Sequence, residues 1–192
     1  MINPSGPADR VHNLTGVLKS DYPRGDEAIE KRDRLTLAVG TGLFAGMIPP
    51  RSGTLGSLWG VLLAYGYHEV GSIWFALAST VVLCAAGVWV CGRSAQILGR
   101  EDPREVVFDE IVTMPIVFLG LSTWNWPIAI TGFLLHRLFD ITKPLGINSL
   151  QRFPGGLGIM LDDVAAGLAG MISFQVLIRT GLFERVWGGN LL

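Results

Sequence analysis

Residues 72–92, SIWFALASTVVLCAAGVWVCG, contain no charged side chain. A helix rises 1.5 Å per residue, so a stretch of this length spans the roughly 30 Å hydrocarbon core of a bilayer. Cys84 and Cys91 both fall inside it. Seven residues apart on one helix, they are separated by about 10 Å along the axis, too far for a disulfide within the helix. They are expected to pack as small apolar side chains.

Working outward, residues 55–69 and 158–183 form further apolar segments, and 106–139 is apolar but broken at Gly120 and by Pro127. Its centre, STWNWP, has the aromatic, uncharged character of a membrane–water interface. Residues 35–49, LTLAVGTGLFAGMIP, are too short to cross. Gly40, Gly42, Gly46 and the prolines at 49 and 50 predict a half-helix or close-packed helix that stops early. The whole chain is 49% hydrophobic and 16% charged over 192 residues, with a mean hydropathy of +0.44. Soluble domains carry about 25% charge, so the deficit points to a membrane. Residues 1–34 hold six of the fifteen Lys/Arg and read as a polar cytoplasmic arm without a secretory signal, with a short surface helix at 26–34. Residues 35–192 then form one all-α domain: a polytopic membrane bundle with short or broken helices and Gly-rich connecting loops. A net charge of −1 gives no basic field for nucleic acid.

The basic residues orient the bundle. They concentrate in 1–34, 93–105 and 137–152, while the turns at 65–72 and 120–127 have none. The positive-inside rule puts the first three on the cytoplasmic side, with Arg179 and Arg185 as exceptions that snorkel at the far interface.

Five acids stand where apolar sequence meets polar: Asp109, Glu110, Asp140, Asp162 and Asp163. In this topology all five face the cytoplasm. Acids beside spans are costly and mark function, unless each merely caps a helix or pairs with a base, as Asp140 can with Arg137 or His136. Two adjacent acidic pairs plus Asp140 repel one another unless a cation lies among them, and oxygen ligands at this density suit Mg²⁺. Asp162 and Asp163 diverge by about 100° on a helix, so they are expected to take different roles.

Residues 50–58, PRSGTLGSL, open a helix with little steric bulk. Their backbone N–H groups, Gly53 among them, and the hydroxyls of Ser52, Thr54 and Ser57 make a candidate anion cradle. Close helix packing at Gly56 and Gly60 is the competing explanation. Lys143, Arg137 and Arg51 are candidate phosphate ligands, or else lipid-headgroup contacts. Thiol, DxDx[TV] and histidine-based phosphatase motifs are missing, and His12, His68 and His136 are scattered. The competing classes are a cation transporter, which would suit acids beside broken helices, and a structural membrane protein. Acids gathered on one side and phosphate-suited loops argue against the first; clustered charge argues against the second.

Four blocks, LAVGTGLFAGMIPPRSGTLGSL, VVFDEIVTMPIVFL, HRLFDITKPLGI and GGLGIMLDDVAAG, cover most of residues 37–167. In order and content they resemble the phosphatidylglycerophosphatase A family. The resemblance implies an all-helical, Mg²⁺-dependent, multi-pass lipid phosphatase of the bacterial inner membrane, its active site facing the cytoplasm. It implies a phospholipid substrate, phosphatidylglycerophosphate, converted to phosphatidylglycerol in glycerophospholipid biosynthesis. Asp109, Glu110, Asp140, Asp162 and Asp163 carry over as catalytic and metal-binding acids, and Thr54 and Lys143 occupy matching positions. Three departures touch loops and spare the acids: Ser52 where proline is usual, Thr113 where glycine is usual, and KPLGI in place of KPWPI.

Overall fold

The computed structural model describes residues 27–47 and 52–188. Asp33–Leu192 groups as one compact unit, and Met1–Arg32 groups apart from it. Most of the expected N-terminal arm, together with His12 and Arg51, lies outside the described residues. The elements are α1 (Glu27–Gly40), α2 (Ser52–Val70), α3 (Ile73–Leu98), α4 (Phe108–Thr113), α5 (Trp126–Thr142), α6 (Gly156–Arg179) and α7 (Leu182–Trp187). Short 3₁₀ helices at Ala45–Met47, Met114–Phe118 and Pro144–Arg152 join them. No strand occurs among the described residues.

Helix α1 runs through the expected boundary at residue 34 and stops at Gly40. Gly42, Leu43 and Phe44 follow in the left-handed region, with φ of 59°, 57° and 69°. The buried Thr41 hydroxyl steadies this reversal, donating to Leu37 O at 2.7 Å and accepting from Phe44 N at 3.2 Å. Two of these residues are not glycine, so the turn carries strain that the packing around it must offset.

Helix α3 begins where the Ser72 side chain accepts from Phe75 N. It ends at Gly99, whose φ of 65° lets the capping N–H reach Ala95 O and Gln96 O. It extends through Leu98, six residues past the uncharged run, and there Arg93 holds the buried Asp33 through three hydrogen bonds of 3.0–3.1 Å. Cys84 and Cys91 are free thiols. Among the described residues only α3 and α6 are long and apolar enough to cross a bilayer. Trp74, Phe75, Leu77, Val81, Val82 and Trp89 on α3 are exposed. In water, apolar area on this scale invites association.

The first part of the 106–139 segment breaks earlier than the expected Gly120, while its second part forms one helix, α5. Its first helix lasts only to Thr113, because Pro115 lacks an N–H and the chain tightens to 3₁₀. Pro127 does not interrupt α5. It occupies the first turn, where a missing N–H is harmless, and Asn125 caps Ile128 N at 3.0 Å. The 3₁₀ segment Met114–Phe118 is wholly buried and joins a core of Ala64, Ile128, Phe174 and Phe183. Glycines allow the tightest approaches. A Cβ on Gly156 would overlap Val88 O and come within 2.6 Å of Gly92 N, so α6 and α3 meet there backbone to backbone.

Candidate active site

The N-termini of α2, α4 and α6 gather with the C-termini of α3 and α5. A cavity of about 650 Å³ opens there, lined by Gly53, Thr54, Asp102, Arg104, Asp109, Glu110, Arg137, Asp140, Lys143, Asp162 and Asp163, with Phe133, Ile141 and Ile159 as apolar wall. All five acids singled out in the sequence face this one space. Asp162 and Asp163 lie six and seven residues into α6, roughly 10 Å along its axis.

The acids fall into two groups. Arg137 Nη1 donates to Glu110 Oε1 at 3.0 Å and to Asp140 Oδ2 at 2.7 Å, the second an i,i+3 pair on α5. Helical pairing of Asp140 is therefore realised, within the cavity wall. Asp162 Oδ2 accepts from Lys143 Nζ and, at 2.8 Å, from Gln151 Nε2. Among the described residues Asp109 and Asp163 have no salt bridge to a cation. Both are buried, and Asp163 Oδ2 has no hydrogen-bond partner among those residues. Asp109 Oδ1 accepts from the adjacent Glu110 N, at 3.0 Å. The two acids of the α6 pair thus occupy different environments, as their angular separation requires.

Electrostatics follow from this arrangement. Among the described lining residues six acids face three bases, a formal charge of −3. Two like charges 4 Å apart repel by about 4 kcal/mol at an effective dielectric of about 20. Helix α4 is far too short to span, and its acids show the strain. Burial first, and then the Glu110 charge, drive the Asp109 carboxyl well above the usual range. Burial pushes Glu110 up to about 7 against the pull of Arg137. The Lys143 ammonium is raised: burial works against its charge, but the hydrogen bond and charge of Asp162 more than compensate. Among the described residues no three acids form a ready-made metal cluster. The donor set is nonetheless hard oxygen, and Asp163 Oδ2 is a buried lone-pair site without a donor. Those two features fit Mg²⁺.

The residues expected to form an anion cradle fall in different surroundings. Gly53 and Thr54 line the cavity at the start of α2. Ser57 does not: it is fully buried, and its hydroxyl lies 2.9 Å from both Gly53 O and Glu110 Oε2. Ser57 is corrected from phosphate ligand to a residue that holds Glu110, because one helical turn carries it inward from Gly53. Arg137 and Lys143 reach the cavity already engaged with carboxylates. A Cβ on Gly53 would overlap Glu110 Oε1 and lie 3.1 Å from Arg137 Nη1, so glycine lets this ion pair abut the helix start. Gly56 and Gly60 pack against Val107 and Met114, the packing role foreseen as the alternative. Thr113 donates to Asp109 O at 2.8 Å and meets His136 Nε2 at 3.2 Å.

Sequence reasoning missed Asp102, Arg104, Phe133 and Gln151. Asp102 is exposed at the mouth. Desolvation raises its carboxyl first; Lys143 pulls it down, and Asp162 and Asp140 push it up. The acid–proline step Asp102–Pro103, just ahead of the DE pair, was the available signal.

Fold and site together define an all-helical protein with an acid-lined cavity at the meeting of five helix ends. Residues 38–178 match the family model described as phosphatidylglycerophosphatase A. The chain is 32% identical over 160 residues to phosphatidylglycerophosphatase A of Escherichia coli, covering 79% of this chain and 91% of that protein. It is 34% identical over 137 residues to that of Haemophilus influenzae, covering 71% and 83%. It is also 36% identical over 150 residues to a putative phosphatidylinositol-3-phosphatase of Bacteroides thetaiotaomicron, covering 74% and 92%. No solved structure matches the chain. The chain belongs to the phosphatidylglycerophosphatase A family and is a phosphatase.

Proposed function

We propose that this enzyme hydrolyses phosphatidylglycerophosphate to phosphatidylglycerol and phosphate, with Mg²⁺ held among Asp109, Glu110, Asp140, Asp162 and Asp163. One observation carries the proposal: among the described residues six acids against three bases face a single cavity, and one buried acid oxygen there lacks a donor. A dianionic phosphate monoester is repelled from such a space unless a divalent cation enters with it. When bound, Mg²⁺ neutralises developing charge on the phosphoryl group and orients the attacking water.

The chain's own residues supply the rest. The start of α2 offers backbone N–H groups at Gly53 and Thr54, and the Thr54 hydroxyl, to phosphate oxygens. Lys143, already in the cavity on Asp162, adds a positive charge within reach of the same phosphate. Asp109 and Asp163, without cationic partners, are placed to take the proton as a water oxygen attacks phosphorus. The bond from phosphorus to the glycerol oxygen breaks, and the carboxyl that took the proton from water returns it to the leaving oxygen, which departs as the alcohol. Phe133, Ile141 and Ile159 face the less polar part of the substrate.

In this reading α3 and α6 cross the bacterial inner membrane as part of a multi-pass bundle, a reading supported by the length and hydropathy of both helices and by the exposed apolar surface of α3. The cavity faces the cytoplasm, because Arg104, Arg137 and Lys143 cluster at that end. The test compares phosphate release by purified protein from phosphatidylglycerophosphate and from phosphatidylinositol 3-phosphate. Preference for the first by tenfold or more in kcat/KM, about 1.4 kcal/mol, is the expected result. Equal or reversed preference rejects the substrate assignment.

A further inference from the structure

The Pro144–Arg152 segment holds a residue for which the reaction as described has no role. Its chain path starts at Lys143, which caps α5 in the left-handed region at φ 41° and ψ 52°. The reversal folds the 3₁₀ helix back against the first turns of α6. Gly158 makes the fit possible, since a Cβ there would overlap Phe153 O and lie 3.0 Å from Gln151 O. One turn further along α6 stands Asp162. Gln151 Nε2 reaches its Oδ2 at 2.8 Å, the same oxygen that Lys143 Nζ engages.

We propose that Gln151 is a positioning residue for this reaction: its amide holds Asp162 Oδ2 and so turns the other carboxylate oxygen, Oδ1, toward the cation and phosphate. Oδ1 takes no hydrogen bond among the described residues. Two donors converge on one oxygen, and they are not equivalent. Lys143 is charged and is drawn toward an arriving phosphate. Gln151 is neutral, so it keeps its hold on Asp162 when Lys143 moves. A carboxylate steadied in this way loses less freedom on taking up a metal ion, which is how groups behind the ligands tune affinity.

The inference rests on the metal-dependent reading under Proposed function, and its test separates the two. Mn²⁺ binding to purified protein is followed by electron paramagnetic resonance without substrate, alongside the Mg²⁺ concentration giving half-maximal phosphate release. Gln151→Ala should weaken Mn²⁺ binding about tenfold and raise the Mg²⁺ requirement equally. Gln151→Glu keeps the size but sets a carboxylate against Asp162, and should be worse than Gln151→Ala. Gly158→Ala, which displaces the Gln151 backbone, should reproduce the defect. Asn148→Ala, exposed on the same 3₁₀ helix, should not. Wild-type Mn²⁺ affinity in both Gln151 variants would overturn the role of Gln151 while leaving the metal site standing. A wild-type protein that binds no Mn²⁺ would overturn both.

Discussion

Replacing Gly53 by alanine tests the geometry at the start of α2. A methyl group there would overlap Glu110 Oε1 and sit 3.1 Å from Glu110 Cδ and Arg137 Nη1. The Glu110 carboxylate is pinned by Ser57 at 2.9 Å and Arg137 at 3.0 Å, and its side chain is only 14% exposed. It can yield only by giving up one or both contacts. Hydrogen bonds to charged groups contribute about 1.5–3 kcal/mol each. Alanine returns up to about 1 kcal/mol of helix propensity. Giving up one contact therefore costs a net of about 0.5–3 kcal/mol, and where Glu110 is needed in place at the transition state this lowers kcat/KM roughly 2- to 150-fold, more if both contacts go. Gly66→Ala in the same helix is the control. A Cβ there meets nothing within 4 Å, so it gains the propensity without the collision. Phosphate-release kinetics on both variants, with thermal melts, decide the matter. If Gly53→Ala turns over as fast as Gly66→Ala, the close seating of Glu110 and Arg137 against α2 has no part in catalysis.

Other outcomes follow from the same geometry. Asp109→Asn, Asp140→Asn and Asp162→Asn should each cut phosphate release more than 100-fold, about 2.7 kcal/mol, while membrane insertion by fractionation stays normal. Near-normal turnover in all three would remove the acids from the reaction. Gly156→Ala should lower stability by several kcal/mol, read as a lower melting temperature in detergent, because its Cβ meets Val88 O and Gly92 N, backbone atoms that cannot swing aside. Unchanged melting would show that α3 and α6 are not closely packed there.

Much of the fold lies open in local sequence. The uncharged run at 72–92 and the apolar 158–183 stretch become α3 and α6, since length and hydropathy are properties of a single segment. The stop after Gly40 was legible in its glycines. The 3₁₀ tightening at Met114–Phe118 was less so, because a uniformly apolar run conceals whether Pro115 or Gly120 ends the helix. The acids were legible because charge beside apolar helices is costly wherever the chain goes. Partnerships were not: that Ser57 serves Glu110, 53 residues away, and that Gln151 serves Asp162 depends on how α2 meets α4 and how the 3₁₀ helix folds onto α6. Asp102 escaped notice because its surroundings, 93–105, read as an ordinary polar connection.

Under the proposed function, carboxylates share a divalent cation around a lipid phosphate. Phosphate release from phosphatidylglycerophosphate, titrated with Mg²⁺ after exhaustive chelation, addresses this directly. The expected result is loss of activity on chelation and saturable recovery with Mg²⁺. Full activity in chelator, with no response to added Mg²⁺, would contradict it.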